Sequence, residues 1–133
     1  MYRTALAFGI LLGGLGIIIG AFGAHALKPL LTDNQIQVFE TGVRYQMYHS
    51  FALLVAGILA GTFSLKTIKV ASIFFLVGIF LFSGSLYAMT LLNISGQVGL
   101  GGLGILTPIG GLFFILGWIT LLICVLKKQI RIK

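Results

Sequence analysis

Acidic side chains are almost absent from this chain: Asp33 and Glu40 are the only two among 133 residues, against nine lysines and arginines. Charged residues make up 8% of the sequence, where a soluble globular domain carries about 25%, so a water-exposed folded domain is excluded. The single cysteine, Cys124, cannot form an internal disulfide. With neither acid near it, it cannot complete the roughly four-ligand set of a closed metal centre. Prolines number two, Pro29 and Pro108, so long helices can run uninterrupted between them. What fills the chain instead is apolar: 59% hydrophobic residues, 19 glycines and a mean hydropathy of +1.14. This is the composition of an integral membrane protein.

Four apolar segments, at 4–27, 41–62, 68–92 and 103–126, come near the ~20 residues that carry a helix across ~30 Å of hydrocarbon. Too little chain remains outside them for a second domain. The expected fold is therefore one all-α domain over 1–133, an integral membrane four-helix transmembrane bundle. Ala24-His25-Ala26 has the form of a leader cleavage site, but the preceding apolar stretch exceeds the ~7 to 15 residues of a leader, and it is read as a span. Arg3, Lys66, Lys69, Lys127, Lys128, Arg131 and Lys133 fall on one side, and only Lys28 and Arg44 on the other. The positive-inside rule places the richer side, and with it both termini, in the cytoplasm. Loops 28–40 and 93–102 are then external. The net charge of +7 is thus mostly a topology signal, with a basic tail suited to anionic lipid headgroups. No folded basic domain presents it to nucleic acid, so the lipid bilayer is the expected partner and the plasma membrane the expected location.

Gly9, Gly13, Gly16, Gly20 and Gly23 are spaced 4, 3, 4, 3 along the first span, a bare stripe on which another helix can pack closely. At ~100° per residue His25 lies well round from that stripe, so helix 1 is expected to meet neighbours on two sides. Either both belong to one bundle, or one is a second copy of the chain or a partner membrane helix. Pro29 ends this helix, and Thr32 with Gln35 has the spacing of a capping box, which starts helix 2 near Asp33. On its wheel Thr41, Tyr45 and His49 face the bundle, Tyr48 borders them and Gln46 lies on the far flank. Val43, Met47, Phe51, Val55 and Ile58 face lipid. In the third span Ser72, Ser83, Tyr87 and Thr90 share a face, while Ser85 points elsewhere. Thr107-Pro108 reads as the cap and first residue of the last helix, and Trp118 as a bulky filler or lipid contact.

Topology gathers the polar residues into one cluster in the outer half of the membrane. His25, Tyr45, Gln46, His49, Ser83, Tyr87 and Thr107 are the candidate ligand-binding residues, because an unpaired polar group in hydrocarbon costs several kcal/mol and is either partnered or functional. Common motifs do not account for them. The run Gly99-Leu-Gly101-Gly102-Leu-Gly104 has dinucleotide-site spacing but lacks the preceding strand and the later acid. Two histidines on facing helices would meet the minimum for haem, yet a buried histidine is more commonly satisfied by a tyrosine or serine. No cofactor and no metal are expected. Ser83 or Ser85 with His49 lacks an orienting acid and an oxyanion site, so no catalytic residue is assigned and the chain reads rather as a non-enzyme.

Four runs in order, Gly-Ala-Phe-Gly-Ala-His-Ala-Leu (20–27), Thr-Gly-Val-Arg-Tyr-Gln-Met-Tyr-His (41–49), Phe-Ser-Gly-Ser-Leu-Tyr (82–87) and Thr-Pro-Ile-Gly-Gly (107–111), are followed by Gly117-Trp118. Together they resemble the small bacterial membrane proteins of the YwdK/YgdD type, a family that also has eukaryotic relatives. The resemblance covers nearly the whole chain. It implies a multipass plasma-membrane protein with no established biochemical function, and carries the family pattern onto His25, Tyr45, Gln46, His49, Ser83, Gly84, Ser85, Tyr87, Thr107 and Pro108.

Two functions fit the sequence. One is a small module that binds or passes a small polar solute, a proton or a lipid headgroup at the outer cluster, with His49 as its titratable group, since the ordinary imidazole pKa is about 6.5. The other is a structural or assembly protein whose glycine seams dock partner helices and whose polar cluster locks the bundle. The cytoplasmic half of the helices is nearly all apolar, which favours a half-depth pocket over a pore.

Overall fold

The computed structural model describes residues 1–96 and 102–127. Gly99 and Gly101 of the glycine run expected in the third loop, and the basic tail beyond Lys127, lie outside the described residues. Helix α1 (Arg3–Leu30) is α-helical as far as Phe22, then makes a π turn over Gly23–Leu27 and a 3-10 turn over Lys28–Leu30. Helix α2 spans Asp33–Leu59. Helix α3 (Leu65–Ile94) carries a π turn at Ile79–Ser83, and α4 spans Leu103–Leu126. No strand occurs among the described residues, and the architecture is all-helical.

Helix α2 begins where local chemistry directs. Thr32 N–H donates to Gln35 Oε1 at 3.0 Å and Gln35 N–H to Thr32 Oγ1 at 3.3 Å, the reciprocal capping box that starts α2. Helix α4 departs from expectation: it starts at Leu103, with Pro108 inside it rather than at its head. Proline at that position leaves the Gly104 carbonyl without an intrahelical donor. Extending the helix over the preceding residues satisfies more backbone groups than an irregular segment would in hydrocarbon. Thr107 is consequently free of capping duty.

Tyr2 N–H donates to Gly57 O at 2.8 Å, the Lys69 ammonium sits 5.7 Å over the Tyr2 ring, and Cys124 Sγ reaches Ser64 O at 4.0 Å. The N-terminus, the α2–α3 turn and the end of α4 therefore share one end of the bundle. Arg3, Lys66, Lys69 and Lys127 stand there, while Lys28, Asp33, Glu40 and Arg44 stand toward the other. Helix α1 packs chiefly on α2, α3 on α4, and α2 joins the two pairs through α3.

Three helices, α1, α3 and α4, are each long and apolar enough to cross a membrane. Helix α2, expected as a fourth span, does not meet that measure alone, because Arg44, Tyr45, Gln46 and His49 crowd its first half. It is also the helix set between the others, so its polar groups meet protein.

The glycine stripe of α1 faces α2 throughout. A Cβ on Gly9 would sit 2.8 Å from Leu54 Cδ2 and 2.9 Å from Ser50 O, one on Gly16 2.7 Å from Met47 Sδ, and one on Gly20 3.3 Å from Val43. Gly13 looks onto Ser50 and Gly23 onto the Phe39 ring. Val43 and Met47, expected to face lipid, are instead half-buried against this stripe, whereas Phe51, Val55 and Ile58 remain exposed. The stripe is engaged within the chain, and Ile10, Ile17 and Ile18 on other parts of α1 stay exposed.

The second seam joins α3 to α4. A Cβ on Gly110 would lie 2.8 Å from Phe82 Cα, and one on Gly117 would lie 2.6 Å from the Phe75 ring. Because Gly110 meets backbone rather than a flexible side-chain tip, Gly110→Ala is expected to destabilise the bundle by roughly 1–3 kcal/mol. Gly14, beside which nothing lies within 4 Å, should accept alanine with unchanged or higher stability. Thermal midpoints of the two detergent-solubilised variants check this, and equal midpoints would refute the tight α3–α4 approach.

Candidate functional site

The inward face of α2 is centred one position away from the expected stripe, on Gly42, Gln46, His49, Ser50, Leu53 and Ala56. Gln46, expected on the flank, is 3% exposed and joins three helices. Its Nε2 donates to Leu12 O of α1 at 2.8 Å, and its Oε1 accepts from the Tyr87 hydroxyl of α3 at 2.8 Å. The Leu12 carbonyl has a second lone pair for this bond. Gly16, one turn on, lets α2 come this close: a Cβ there would fall 2.7 Å from Met47 Sδ and at ordinary contact distance, 3.5 Å, from Gln46 Nε2.

Ser83 Oγ donates to Gly42 O at 2.7 Å, across a contact so close that a Cβ on Gly42 would fall 2.8 Å from the Tyr87 ring. Ser85 Oγ lies 2.6 Å from Thr107 Oγ1 and donates to Phe82 O at 2.9 Å. Ser85 therefore turns to α4 while Ser83 and Tyr87 turn to α2, the separation expected from the sequence. Among the described residues, every buried side-chain nitrogen and oxygen has a hydrogen-bond partner. Gln46, Ser83, Tyr87 and Thr107 thus each have a protein partner on another helix.

The remaining candidates border a cavity. His49 Nδ1 lies 2.7 Å from Tyr45 O; a carbonyl only accepts, so the Nδ1 proton is assigned by its partner and Nε2 is left as an acceptor. The Trp118 indole N–H donates to that Nε2 at 3.3 Å. The imidazole stacks on Phe114 with centroids 3.4 Å apart and planes at 6°, and Tyr45 stacks on Phe82 at 4.6 Å. Tyr45, Tyr48, His49, Phe82, Pro108, Gly111, Phe114 and Trp118 line a cleft of about 710 Å³ between α2, the π turn of α3, and α4. Its outer lip, formed by Tyr48, Leu112, Ile115 and Trp118, is exposed on the flank of the bundle.

His25 is exposed in the π turn of α1 and does not line this cleft. The other six candidates come together as two adjoining groups, four in the hydrogen-bonded interior and two in the cleft wall. Phe82, Phe114 and Trp118 were not singled out from the sequence. The spacing Gly110, Phe114, Gly117, Trp118, small residues alternating with rings at helical intervals, is the signal that marks them.

A sequence profile described as a protein of unknown function, DUF423, matches residues 19–111. The chain belongs to the DUF423 family. A UPF0382 membrane protein of Staphylococcus aureus (strain bovine RF122 / ET3-1) is 43% identical over 122 residues, covering 89% of this chain and 94% of its own. One from Staphylococcus haemolyticus is 41% identical over 125 residues, with 94% and 97% covered. The UPF0382 membrane protein YwdK of Bacillus subtilis is 40% identical over 114 residues, with 85% and 88% covered. No solved structure matches the chain. Named membrane proteins among its relatives and three membrane-length apolar helices agree that this DUF423 chain is a membrane protein. The DUF423 match takes in Gln46, His49, Ser83, Tyr87 and Thr107, and stops before Phe114 and Trp118.

Tyr87→Phe strips Gln46 Oε1 of its donor and is expected to cost about 0.6 kcal/mol and at most about 1.7 kcal/mol. In a Gln46→Leu background the same change should cost almost nothing, because the pair acts as one bridge. Unfolding in mixed micelles measures all four corners of the cycle, and additive costs would disprove the coupling.

Proposed function

We propose that this DUF423 protein is a four-span plasma-membrane protein, both termini cytoplasmic, that binds a small amphiphile from the bilayer by its hydrogen-bond-donating head at His49. The observation that carries this reading is the pairing of a laterally open aromatic cleft with a single buried imidazole acceptor, His49 Nε2, whose partner is the half-exposed indole of Trp118 at 3.3 Å. Aromatic walls accept flat apolar groups by stacking, and the nitrogen accepts one O–H or N–H. Few polar groups in a mostly apolar concavity are the usual make-up of a small-molecule site.

Within this reading the polar cluster divides by role. Gln46, Ser83, Tyr87 and Thr107 fasten helices, and Tyr45 and His49 contact the ligand. Helix α2 spans the membrane as the inner member of the bundle, and the Arg3, Lys66, Lys69 and Lys127 end faces the cytoplasm. Binding is favoured over passage, because the core toward that end is closed by Leu53, Ala56, Ile68 and Phe75, all fully buried. The assembly reading loses its main support, since the glycine stripe that would dock a partner helix is already engaged by α2.

Native mass spectrometry of the detergent-released protein tests the proposal. The wild type should retain a small-molecule mass that His49→Ala loses while still eluting as assembled protein. Trp118→Phe, which removes the competing indole N–H, should retain that mass at least as well. A wild type carrying only nonspecific lipid would overturn the reading.

A further inference from the structure

All the charge that this chain places away from its basic end converges on one groove. Lys28, Asp33, Glu40 and Arg44 are those charges, and they include both carboxylate side chains of the protein. Two adjoining cavities, sharing Ala24, Ile36 and Glu40, lie between the far end of α1 and the first turns of α2. The outer one, about 320 Å³, is lined by Lys28, Asp33 and Glu40. The inner one, about 170 Å³, is apolar on the Gly20, Gly23, Phe39 and Val43 side and is bordered by Glu40 and Arg44. Separately solvated surface charges have no reason to share one concavity.

We propose that this groove binds a phospholipid whose headgroup carries a primary ammonium beyond its phosphate. The argument is one of order along α2. Asp33 and Glu40, spaced i, i+7, put two carboxylates on one face at the outer level, where the single ammonium of Lys28 leaves an excess of negative charge for a second cation. Arg44 follows one turn deeper, about 6 Å along the axis, and its planar guanidinium suits a phosphate. One of its nitrogens donates to Thr41 Oγ1 at 3.2 Å, which holds the fork in place. Deeper still, the side of the inner cavity formed by Gly20, Gly23, Phe39 and Val43 offers apolar space for the first methylenes of an acyl chain. Ammonium, phosphate, hydrocarbon is the order of groups in an aminophospholipid from the water inward, and a two-carbon link between ammonium and phosphate can bridge from Glu40 to Arg44. The charges of the groove cancel, as those of a zwitterion do, and this site is independent of the His49 cleft.

The test exchanges the detergent-solubilised protein against an equimolar mixture of phosphatidylethanolamine, phosphatidylglycerol and phosphatidylcholine with identical acyl chains, and reads retained lipid by native mass spectrometry. Wild type should hold one phosphatidylethanolamine with about tenfold preference over either competitor. Glu40→Gln and Asp33→Asn, both exposed positions whose variants should elute as wild type, should each lower that preference, and the double variant should abolish it. Lys66→Gln with Lys69→Gln, at the opposite end, should leave it intact. Equal or better retention of phosphatidylglycerol, equal retention of the quaternary phosphatidylcholine, or a preference that survives the double carboxylate variant would overturn the assignment.

Discussion

The structure depends on one constraint: α2 carries polar groups where water does not reach, so each must be met by a neighbouring helix. The side-chain amide of Gln46 shows how that constraint becomes architecture. Its nitrogen is committed to α1 at Leu12 O and its oxygen to α3 at Tyr87, so neither helix can rotate or slide without exposing an unpaired group in hydrocarbon. Dispersion between apolar side chains alone would tolerate many registers, because lipid tails compete with leucine on equal terms. Directional bonds at Gln46, Ser83 and Ser85 select one register.

The glycines are the other half of the same device. A hydrogen bond to a mid-helix carbonyl requires the helices to approach closely, and Gly16, where a Cβ would fall 2.7 Å from Met47 Sδ, permits that approach beside Gln46. Gly42 likewise lets Tyr87 and Ser83 close on α2. Close packing and polar satisfaction are therefore coupled along both the α1–α2 and α2–α3 contacts.

Sequence pattern was enough for the helical class, the capping box at Thr32 and Gln35, the existence of a bare stripe on α1 and the interhelical polar residues Gln46, Ser83, Tyr87 and Thr107. It did not show which helix covers that stripe, because a seam pattern is the same whether the partner lies in the chain or outside it. It set Ser85 apart from the Ser83 and Tyr87 face, and the structure turns it to Thr107 of α4. It misplaced Thr107, whose proline neighbour suggested a helix start that the demand for backbone pairing in hydrocarbon pushed outward to Leu103. Trp118 was read only as a filler or lipid contact, because an indole in an apolar span is an ordinary filler until a nitrogen 3.3 Å away shows its N–H in use.

The fasteners and the cleft meet at Phe82. Its backbone lies against Gly110, its carbonyl accepts from Ser85, and its ring stacks on Tyr45 in the cleft wall. The opening at His49 is consequently bounded by a residue whose position is set by the α3–α4 seam and by the Ser85–Thr107 contact, rather than by the cleft itself. A binding surface held this way arrives preorganised, so little of the free energy of binding goes into ordering it. The same linkage means that a ligand altering the tilt of the Tyr45 and Phe82 rings would act directly on the bonds that join α3 to α4, which makes the π turn a place where occupancy and helix packing share the same atoms.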